Sequence, residues 1–276
     1  MSIPHRWDPD RYLVFADERG RPFVDLLARV GADAPRFVAD LGCGPGSLTA
    51  LLRERWPDAD VLGLDSSPEM VDRARALDLP GVRFDVGDLR QWAPEQPVDV
   101  LFSNATYQWV PGHLELLPRL TSYLSGDRSW LAFQVPGNHA EPSHVLMHEL
   151  SADRRFAPFT QGVARPRSHD PAVYADALRG LGLVVDAWET TYLHQLSGPD
   201  PVFTWISGTG ARPTLQALPD DLRETFVREY KALLREAYPP APDGTTTLPF
   251  RRVFVSAHPS PGWAPERRVA QEVTGR

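Results

Sequence analysis

The sequence has 276 residues, enough for one large domain or a core domain with an insertion, and its 42% hydrophobic and 24% charged residues are ordinary for a globular protein. No apolar run of about 18 residues occurs, the first residues lack the apolar stretch of a secretory signal, and the single cysteine cannot form an internal disulfide, so we expect a cytoplasmic protein without a membrane span. The net charge is −7, with the acidic excess in the first 150 residues, which argues against a nucleic-acid partner.

Strands alternate with helices in the hydrophobic pattern of the first half of the chain. After an N-terminal segment, the predicted helices lie over 18–30, 47–56, from 67 onward and over 113–124. The predicted strands lie over 37–40, 61–65, 82–86, 98–103 and 130–135. This alternation is typical of a parallel sheet with helices on both faces.

The pattern changes after Pro136. It predicts a helix and a Pro- and Arg-rich loop within 140–169, helices over 172–181, 201–208 and 219–238, and strands over 183–191 and 252–257. We therefore predict a doubly wound, mostly parallel, seven-stranded α/β sheet of Rossmann-like type, whose helical insertion acts as a lid over the carboxyl ends of the strands. The predicted division is an N-terminal cover segment and helix over 1–36, a cofactor-binding core over 37–190, a lid over 191–250, a last core strand over 251–257 and a disordered tail over 258–276.

A glycine-rich turn, in the segment ADLGCGPGSLTALL, follows the first predicted strand. Asp40, Gly42, Gly44 and Gly46 form the pattern D-x-G-x-G-x-G. A dinucleotide fingerprint would need glycine at Ser47, and a P-loop would need lysine after the last glycine, although an NAD enzyme stays open as an alternative. The pattern resembles motif I of the class I S-adenosylmethionine (AdoMet)-dependent methyltransferases, in which glycine lets the backbone approach the methionine and ribose of the cofactor.

Residues after the next two strands extend this resemblance. Asp65 ends the second predicted strand, where an acid can accept hydrogen bonds from both ribose hydroxyls. Met70 is a candidate for the adenine face, and Asp88 follows the third strand, where an acid resembles the acceptor for the adenine amino group. AdoMet is therefore the expected cofactor, with S-adenosylhomocysteine as its product. The cofactor-binding candidates are Trp7, Arg21, Asp40, Gly42, Cys43, Gly44, Asp65, Ser66, Met70, Asp88, Leu89 and Asn104.

The acceptor is indicated by segments outside the cofactor half. The exit of the fourth strand reads SNATYQWVPGH and lacks the [DN]-P-P-[YF] turn of enzymes that methylate amino groups of bases or amides. With WDPDRYLVF, QVPGNHAEPSH, WETTYLHQLSGPDPV and AYPPAPDGTTTLPFRRVF, the chain resembles the trans-aconitate methyltransferases over about 7–257, departing locally at the SGD turn of 125–127. The resemblance implies AdoMet-dependent esterification of a carboxylate of trans-aconitate or a related tricarboxylate.

Such a reaction requires cationic side chains that bind and orient the acceptor carboxylate, here called an anion clamp. A carboxylate is ionised at neutral pH and is itself the nucleophile, so the enzyme must orient it and exclude water, and no residue is expected to act as a general acid or base. Arginine suits the clamp because its planar fork binds a carboxylate bidentately. Arg212 and Arg252 are preferred over Arg165 and Arg167. The substrate-binding candidates are Tyr12, Tyr107, Gln108, Trp109, His144, Tyr192, Arg212 and Arg252.

Three further expectations concern metals, partners and alternatives. His144 and His148 form H-x-x-x-H, but the HExxH pattern is absent, so no metal is expected. The expected partner is a small anionic organic acid, and the expected state is a monomer or weak homo-oligomer. Methylation of another small acid or of a natural-product hydroxyl, and a non-catalytic AdoMet-binding role, remain alternatives.

Overall fold

Seven strands form one sheet in residues 20–263, the part of the chain that this computed structural model describes. The strands are β1 Phe37–Leu41, β2 Asp60–Asp65, β3 Val82–Val86, β4 Val100–Asn104, β5 Trp130–Pro136, β6 Leu183–Leu196 and β7 Thr246–Pro259. The helices are α1 Arg21–Leu27, α2 Thr49–Arg55, α3 Pro68–Arg75, α4 His113–Thr121, α5 Pro142–Ser151, α6 Ala157–Thr160, α7 Pro171–Arg179, α8 Pro201–Ser207, α9 Arg212–Ala217 and α10 Asp220–Ala237, with a 3₁₀ turn at Tyr107–Trp109.

The strand order is β3-β2-β1-β4-β5-β7-β6. Strands β1 to β5 are parallel, and β7 lies antiparallel between β5 and β6. The direction of the connections reverses between β1 and β4, which creates a crevice outside their carboxyl ends where ligands bind in open α/β sheets. The predicted doubly wound, mostly parallel seven-stranded sheet is confirmed.

Helices cover both faces of the sheet because its central strands are apolar on both sides. Every residue of β1 is buried, as expected for a parallel strand between two helical layers. On one face, Phe23 of α1 and Leu52 of α2 pack with Phe102. On the other face, Leu117 of α4 and Leu178 of α7 share a core with the sheet. These two cores hold the carboxyl ends of the strands in fixed positions.

The helices α8 and α10, in the range predicted as lid, share an apolar core with α5 and with part of β7. Ile206, Phe226 and Tyr230 belong to this core, together with Leu248 and Phe250 of β7. The strand bounds predicted for the last two strands were therefore too short. The ends of β6 and β7 continue as a paired hairpin into the range predicted as lid, because their side chains pack beneath the lid helices. The division at 190 and 250 itself stays a prediction.

Three other predicted ranges differ from the structure. The pattern over 140–169 contains α5 and α6, followed by a loop, and the helix predicted over 18–30 is α1. The predicted disordered tail begins too early, because β7 ends at Pro259 and the Trp263 indole Nε1 donates a hydrogen bond to the carbonyl of Leu181 at 2.9 Å. Residues 264–276 lie outside the described part. None of the described helices combines the length and apolar character needed to cross a membrane.

Candidate active site

Two adjoining cavities lie at the carboxyl ends of the strands. The first, the glycine cavity, has a volume of about 600 Å³ and is lined by Gly42, Gly44 and Asp65 among others. The second, the lid cavity, has a volume of about 510 Å³ and lies between the ends of β4 and β5 and the lid. Ala105, Trp109 and Arg212 line both cavities. A larger groove of about 1280 Å³ runs along β3, but it holds neither the glycine turn nor the candidate arginines.

The glycine turn has backbone angles that favour glycine at three positions. Gly42, Gly44 and Gly46 have φ angles of +85°, +56° and +81°, in the region that glycine adopts without a steric cost. The Gly44 N–H donates to Asp65 Oδ2 at 2.9 Å, and the Ser67 N–H donates to Asp65 Oδ1 at 2.9 Å. One carboxylate therefore joins the turn to the start of α3, at the edge of the glycine cavity.

The three glycines differ in the space around them. A Cβ on Gly46 would lie 2.7 Å from Ala74 Cβ and 2.8 Å from Phe84 Cζ, so this glycine is required by packing. A Cβ on Gly44 would meet no described atom within 4 Å, although the residue lines the glycine cavity. This opening allows a ligand to approach the backbone closely, as expected for the methionine and ribose of AdoMet.

Alanine at these two positions is expected to separate stability from cofactor binding. Gly46→Ala should lower the free energy of unfolding by about 3 kcal/mol or more, because it adds a clash to an unfavourable φ. Gly44→Ala should cost only about 1–2 kcal/mol of backbone strain but weaken S-adenosylhomocysteine binding at least about tenfold. Urea unfolding and calorimetric titration would measure both effects. Unchanged binding in Gly44→Ala would contradict the placement of the cofactor beside this residue.

Asp40 and Cys43 lie beside the glycine turn but line neither cavity. Asp40 is buried at 2% exposure and accepts a hydrogen bond from Thr49 Oγ1 at 2.7 Å. The Cys43 side chain packs with Val71 and Phe84, and burial raises the pKa of its thiol. Their predicted direct contact with the cofactor is therefore corrected to support of the turn, because both side chains point into the protein.

The charge of Asp40 should make stability depend on pH. Burial raises the pKa of Asp40 from 3.8 to about 7, with the hydrogen bond from Thr49 opposing this and the charge of Asp65 adding to it. Because this pKa is higher in the folded state, the folded protein binds the proton more tightly. The contribution of Asp40 to the free energy of unfolding is therefore most favourable below about pH 4 and falls as pH rises to about 7.

Asp40→Asn removes this titration and keeps an acceptor for Thr49. We expect the variant to gain stability relative to the natural protein as pH rises from about 4 to about 8, by at most about 4 kcal/mol at 1.36 kcal/mol per pKa unit. Urea unfolding of both proteins at pH 5 and pH 8 would measure the difference. A stability difference that is the same at both pH values would show that Asp40 does not titrate in this range.

The other cofactor candidates fall into three groups. Ser66, Met70, Asp88 and Leu89 line the glycine cavity, and their contact with the cofactor stays a prediction. The Asp88 carboxylate also binds Arg90 at 2.6 Å, and these hydrogen bonds lower its pKa. Asn104 lines the lid cavity instead of the glycine cavity. Trp7 and the substrate candidate Tyr12 lie outside the described residues.

The two preferred arginines both reach the lid cavity. Arg252 is 6% exposed, its Nη1 donates to Gln134 Oε1 at 3.1 Å, and its Cζ lies 4.4 Å from the ring centroid of Phe250. Arg212 begins α9, is exposed, and lines both cavities. The guanidinium groups therefore offer one buried and one exposed cation to a ligand in the lid cavity. Arg165 and Arg167 line neither cavity, although Pro166 between them lines the lid cavity.

The 3₁₀ turn at Tyr107–Trp109, which comes shortly after β4, points its three side chains in different directions. Trp109 is 41% exposed and lies where the two cavities meet. Gln108 lines the lid cavity; its Nε2 donates to the Ala105 carbonyl at 2.6 Å, and Oε1 has no partner among the described residues. Tyr107 is buried against Phe133, with ring centroids 5.0 Å apart, so its predicted substrate contact is wrong.

Tyr192 and Arg21 also lie away from the cavities. The Tyr192 hydroxyl donates to Asp25 Oδ2 at 2.6 Å, and its ring packs in the core that covers α1 and α2. Arg21 places its Cζ 5.0 Å from the centroid of that ring. Neither residue lines the glycine cavity or the lid cavity, so both predicted ligand contacts are corrected. The cause is strand alternation, which turns Tyr192 toward α1.

His144 lines the lid cavity, and two residues that were not among the candidates named from the sequence join it there. These are Asn138 and His139, which lie two and three residues after the end of β5. An amide beside an imidazole at the carboxyl end of a predicted strand was the signal that could have found them. Within residues 20–263, no group of three His, Cys, Asp or Glu side chains is arranged to hold a metal ion.

Known proteins are similar to this chain in sequence or in fold. A family model described as a methyltransferase domain matches residues 38–125. A trans-aconitate 2-methyltransferase from Mycobacterium sp. (strain KMS) is 52% identical over 254 residues, which cover 91% of this chain and 98% of that protein. The YcgJ protein of Bacillus subtilis has the same fold, with a TM-score of 0.57 at 12% identity over 89% of this chain and 100% of that chain.

A phosphoethanolamine N-methyltransferase from Haemonchus contortus also shares the fold, with a TM-score of 0.53 at 16% identity over 87% of this chain and 53% of that chain. It was solved with S-adenosylhomocysteine and phosphomonomethylethanolamine. The methyltransferase family and the glycine turn together establish AdoMet as the cofactor. The chain belongs to the trans-aconitate 2-methyltransferase family and is an AdoMet-dependent methyltransferase.

Proposed function

We propose that this enzyme transfers the methyl group of AdoMet to a carboxylate of trans-aconitate or a related small tricarboxylic acid, forming a methyl ester. The observation that carries the proposal is the meeting of Arg212 and Arg252 on one cavity that adjoins the glycine cavity. The name of the relative that is 52% identical supports the same acceptor.

The proposed cofactor contacts lie around the glycine turn. Gly42 and Gly44 provide backbone that a ligand can approach, and Asp65 provides carboxylate oxygens for the ribose hydroxyls. Met70 and Asp88 provide an apolar face and an acceptor for adenine. Ser66 and Leu89 complete this wall. When bound, AdoMet supplies an electrophilic methyl group whose transfer to a carboxylate oxygen leaves S-adenosylhomocysteine.

The proposed acceptor contacts lie in the lid cavity. Arg252 is buried, so its attraction for a carboxylate is screened less by water than that of a surface arginine. Arg212 lines both cavities and therefore can hold the carboxylate that faces the methyl group. Trp109, at the same junction, covers the site with an apolar ring and limits the access of water. Gln108, Asn104 and His144 add polar contacts.

No proton has to be removed from an ionised carboxylate, so these residues act by orientation alone. The guanidinium groups position the oxygen, and the surrounding walls keep it dry. The pKa of His144 is lowered to about 4 by burial, so its imidazole is neutral and binds rather than neutralises the acid. This arrangement agrees with the absence of a required general base.

Incubation with labelled AdoMet and trans-aconitate tests the proposal. Mass spectrometry should detect a monomethyl ester, and S-adenosylhomocysteine should accumulate only when the acid is present. Bound cofactor without any ester would contradict the assigned acceptor. Methylation of a hydroxy compound in preference to the acid would favour a different acceptor class.

A further inference from the structure

Asn138, His139 and His144 form one wall of the lid cavity, here called the imidazole wall. All three line the lid cavity, and none lines the glycine cavity. They come from the segment after β5 and the first turn of α5. The wall therefore borders the part of a bound acceptor that does not face the methyl group.

The wall carries polar atoms without partners in the described part of the chain. Asn138 is 2% exposed, and its Oδ1 has no hydrogen-bonding partner there. Neither ring nitrogen of His139 has a hydrogen-bonding partner in the described part of the chain. The carbonyl of Pro136 lies nearby and opposes the lowering of the His139 pKa by burial. Buried polar groups in native proteins are normally paired, so these atoms indicate a ligand that completes the wall.

His144 is held in place from the lid. Its Nδ1 lies 3.2 Å from Ser143 Oγ. Two tyrosines of the α10 region fix the backbone of Ser143, since the Tyr230 hydroxyl donates to its carbonyl and its N–H donates to the Tyr238 hydroxyl at 3.0 Å. Fixing the backbone of Ser143 orients the neighbouring ring before a ligand binds, which lowers the entropy cost of binding.

A glycine leaves room at the free edge of this ring. A Cβ on Gly210 would lie 3.0 Å from His144 Nε2. Gly210 itself lines the lid cavity, so the space beside Nε2 belongs to the cavity. Glycine at position 210 therefore keeps a side chain away from the Nε2 edge of this ring.

The charges of the cavity indicate which ligand group fits the wall. Burial lowers the pKa of His139 and His144 to about 4, so both rings are neutral and each offers one N–H donor. A cationic ligand group would be repelled by Arg212 and Arg252, which line the same cavity. A carboxylate, by contrast, accepts hydrogen bonds from the neutral donors and is attracted by the arginines.

We propose that the imidazole wall binds a carboxylate of the acceptor that is not methylated, and that it makes the enzyme select tricarboxylates over the matching dicarboxylates. This inference rests on the proposed function. It assigns Asn138 and His139 to substrate selection and gives His144 a defined role in it. The two arginines attract any anionic acceptor, whereas the imidazole wall favours an acceptor that has a carboxylate at the position of the wall.

Substrate pairs test this selection directly. Mesaconate is trans-aconitate with a methyl group in place of the carboxymethyl group, and cis-glutaconate is trans-aconitate without the carboxylate on the central carbon. The natural protein should show a higher kcat/KM for trans-aconitate than for at least one of these acids. In His139→Phe and His144→Phe, that ratio should fall by about 10- to 100-fold, the loss expected for a hydrogen bond to a charged group, because the kcat/KM for trans-aconitate falls more than the kcat/KM for the less preferred dicarboxylate.

Two controls separate this effect from a loss of folding. His148 lies one turn after His144 on α5 but does not line the lid cavity, so His148→Phe should leave the ratio unchanged. The ring nitrogens of His139 have no hydrogen-bonding partner in the described part of the chain, so the melting temperature of His139→Phe should not fall. Affinity for S-adenosylhomocysteine should be unchanged in all three variants.

Gly210→Ala tests the wall without changing a histidine. It should weaken calorimetric binding of trans-aconitate to protein saturated with S-adenosylhomocysteine by about tenfold or more, whereas Gly180→Ala at the end of α7 should not. Equal losses for the tricarboxylate and both dicarboxylates, or no loss in any variant, would overturn the selection role while leaving the methyltransferase function intact. Wild-type protein that binds the cofactor but esterifies none of the three acids would overturn the proposed function and this inference with it.

Discussion

Replacement of Arg252 by methionine is expected to lower kcat/KM for trans-aconitate by about 100- to 1000-fold, or about 3–4 kcal/mol of binding to the reacting acid. The side chain is buried and is held by Gln134 and by the ring of Phe250, so its cation is already oriented toward the lid cavity. Methionine keeps much of the volume but removes the charge and the fork. Steady-state kinetics with varied acid concentration would measure the loss.

Lysine at the same position tests the geometry of the fork. Arg252→Lys keeps a positive charge but loses the planar group that binds a carboxylate at two points and that donates to Gln134. We expect an intermediate loss of about tenfold or more, expressed mainly in KM because the contact also binds the ground state. If both variants kept the natural kcat/KM, Arg252 would have no role in acceptor binding.

Arg83 offers a matched control for these variants. It is also a strand arginine, in β3, but its side chain is 62% exposed and it lies on the groove outside both cavities. Arg83→Met should leave kcat/KM for the acid unchanged. Affinity for S-adenosylhomocysteine should be the same in all of these variants, because Arg252 does not line the glycine cavity.

The parts of the fold that depend on local pattern were predictable. Apolar runs separated by amphipathic segments predicted the sheet, because parallel strands between two helical layers must be apolar throughout. The spacing of the three glycines after β1 predicted a ligand-binding turn. In the structure all three glycines have positive φ angles, which few other residues adopt. The two preferred arginines were proposed as a clamp because a guanidinium suits a carboxylate, and the carboxylate acceptor itself was implied by the resemblance.

Side-chain direction in short irregular segments could not be predicted. Tyr107, Gln108 and Trp109 are consecutive, yet one enters the core, one lines the lid cavity and one lies at the junction. A 3₁₀ turn distributes neighbouring side chains around its axis, so a change of one residue in its start would exchange these positions. The length of the β6–β7 hairpin was also hidden, because its outer half is buried by the lid helices, whose position a sequence pattern does not give.

The second large effect is expected at Asp65, whose carboxylate has two backbone donors on its two oxygens. Oδ2 accepts from the Gly44 N–H and Oδ1 accepts from the Ser67 N–H, each at 2.9 Å. The residue also lines the glycine cavity. A carboxylate can serve both backbone donors and the ribose hydroxyls, whereas an amide has only one oxygen.

Asp65→Asn is therefore expected to damage the site in spite of its similar shape. Its NH₂ group must face one of the two backbone N–H donors, which leaves that donor without an acceptor and should cost about 1–3 kcal/mol of stability. The hydrogen bonds to the ribose also lose their negative charge, so the Kd for S-adenosylhomocysteine should rise by about 100-fold or more. Thermal unfolding of the free protein and calorimetric titration would separate the two effects.

Asp60→Asn provides the comparison within the same strand. Asp60 begins β2, is exposed, and lies at the opposite end from the glycine cavity, so its substitution should change neither the melting temperature by much nor the affinity for S-adenosylhomocysteine. A saturating ligand should raise the melting temperature of Asp60→Asn as much as that of the natural protein, and that of Asp65→Asn much less. If Asp65→Asn bound S-adenosylhomocysteine with natural affinity, the ribose could not depend on this carboxylate, and Asp65 would serve only to join the glycine turn to α3.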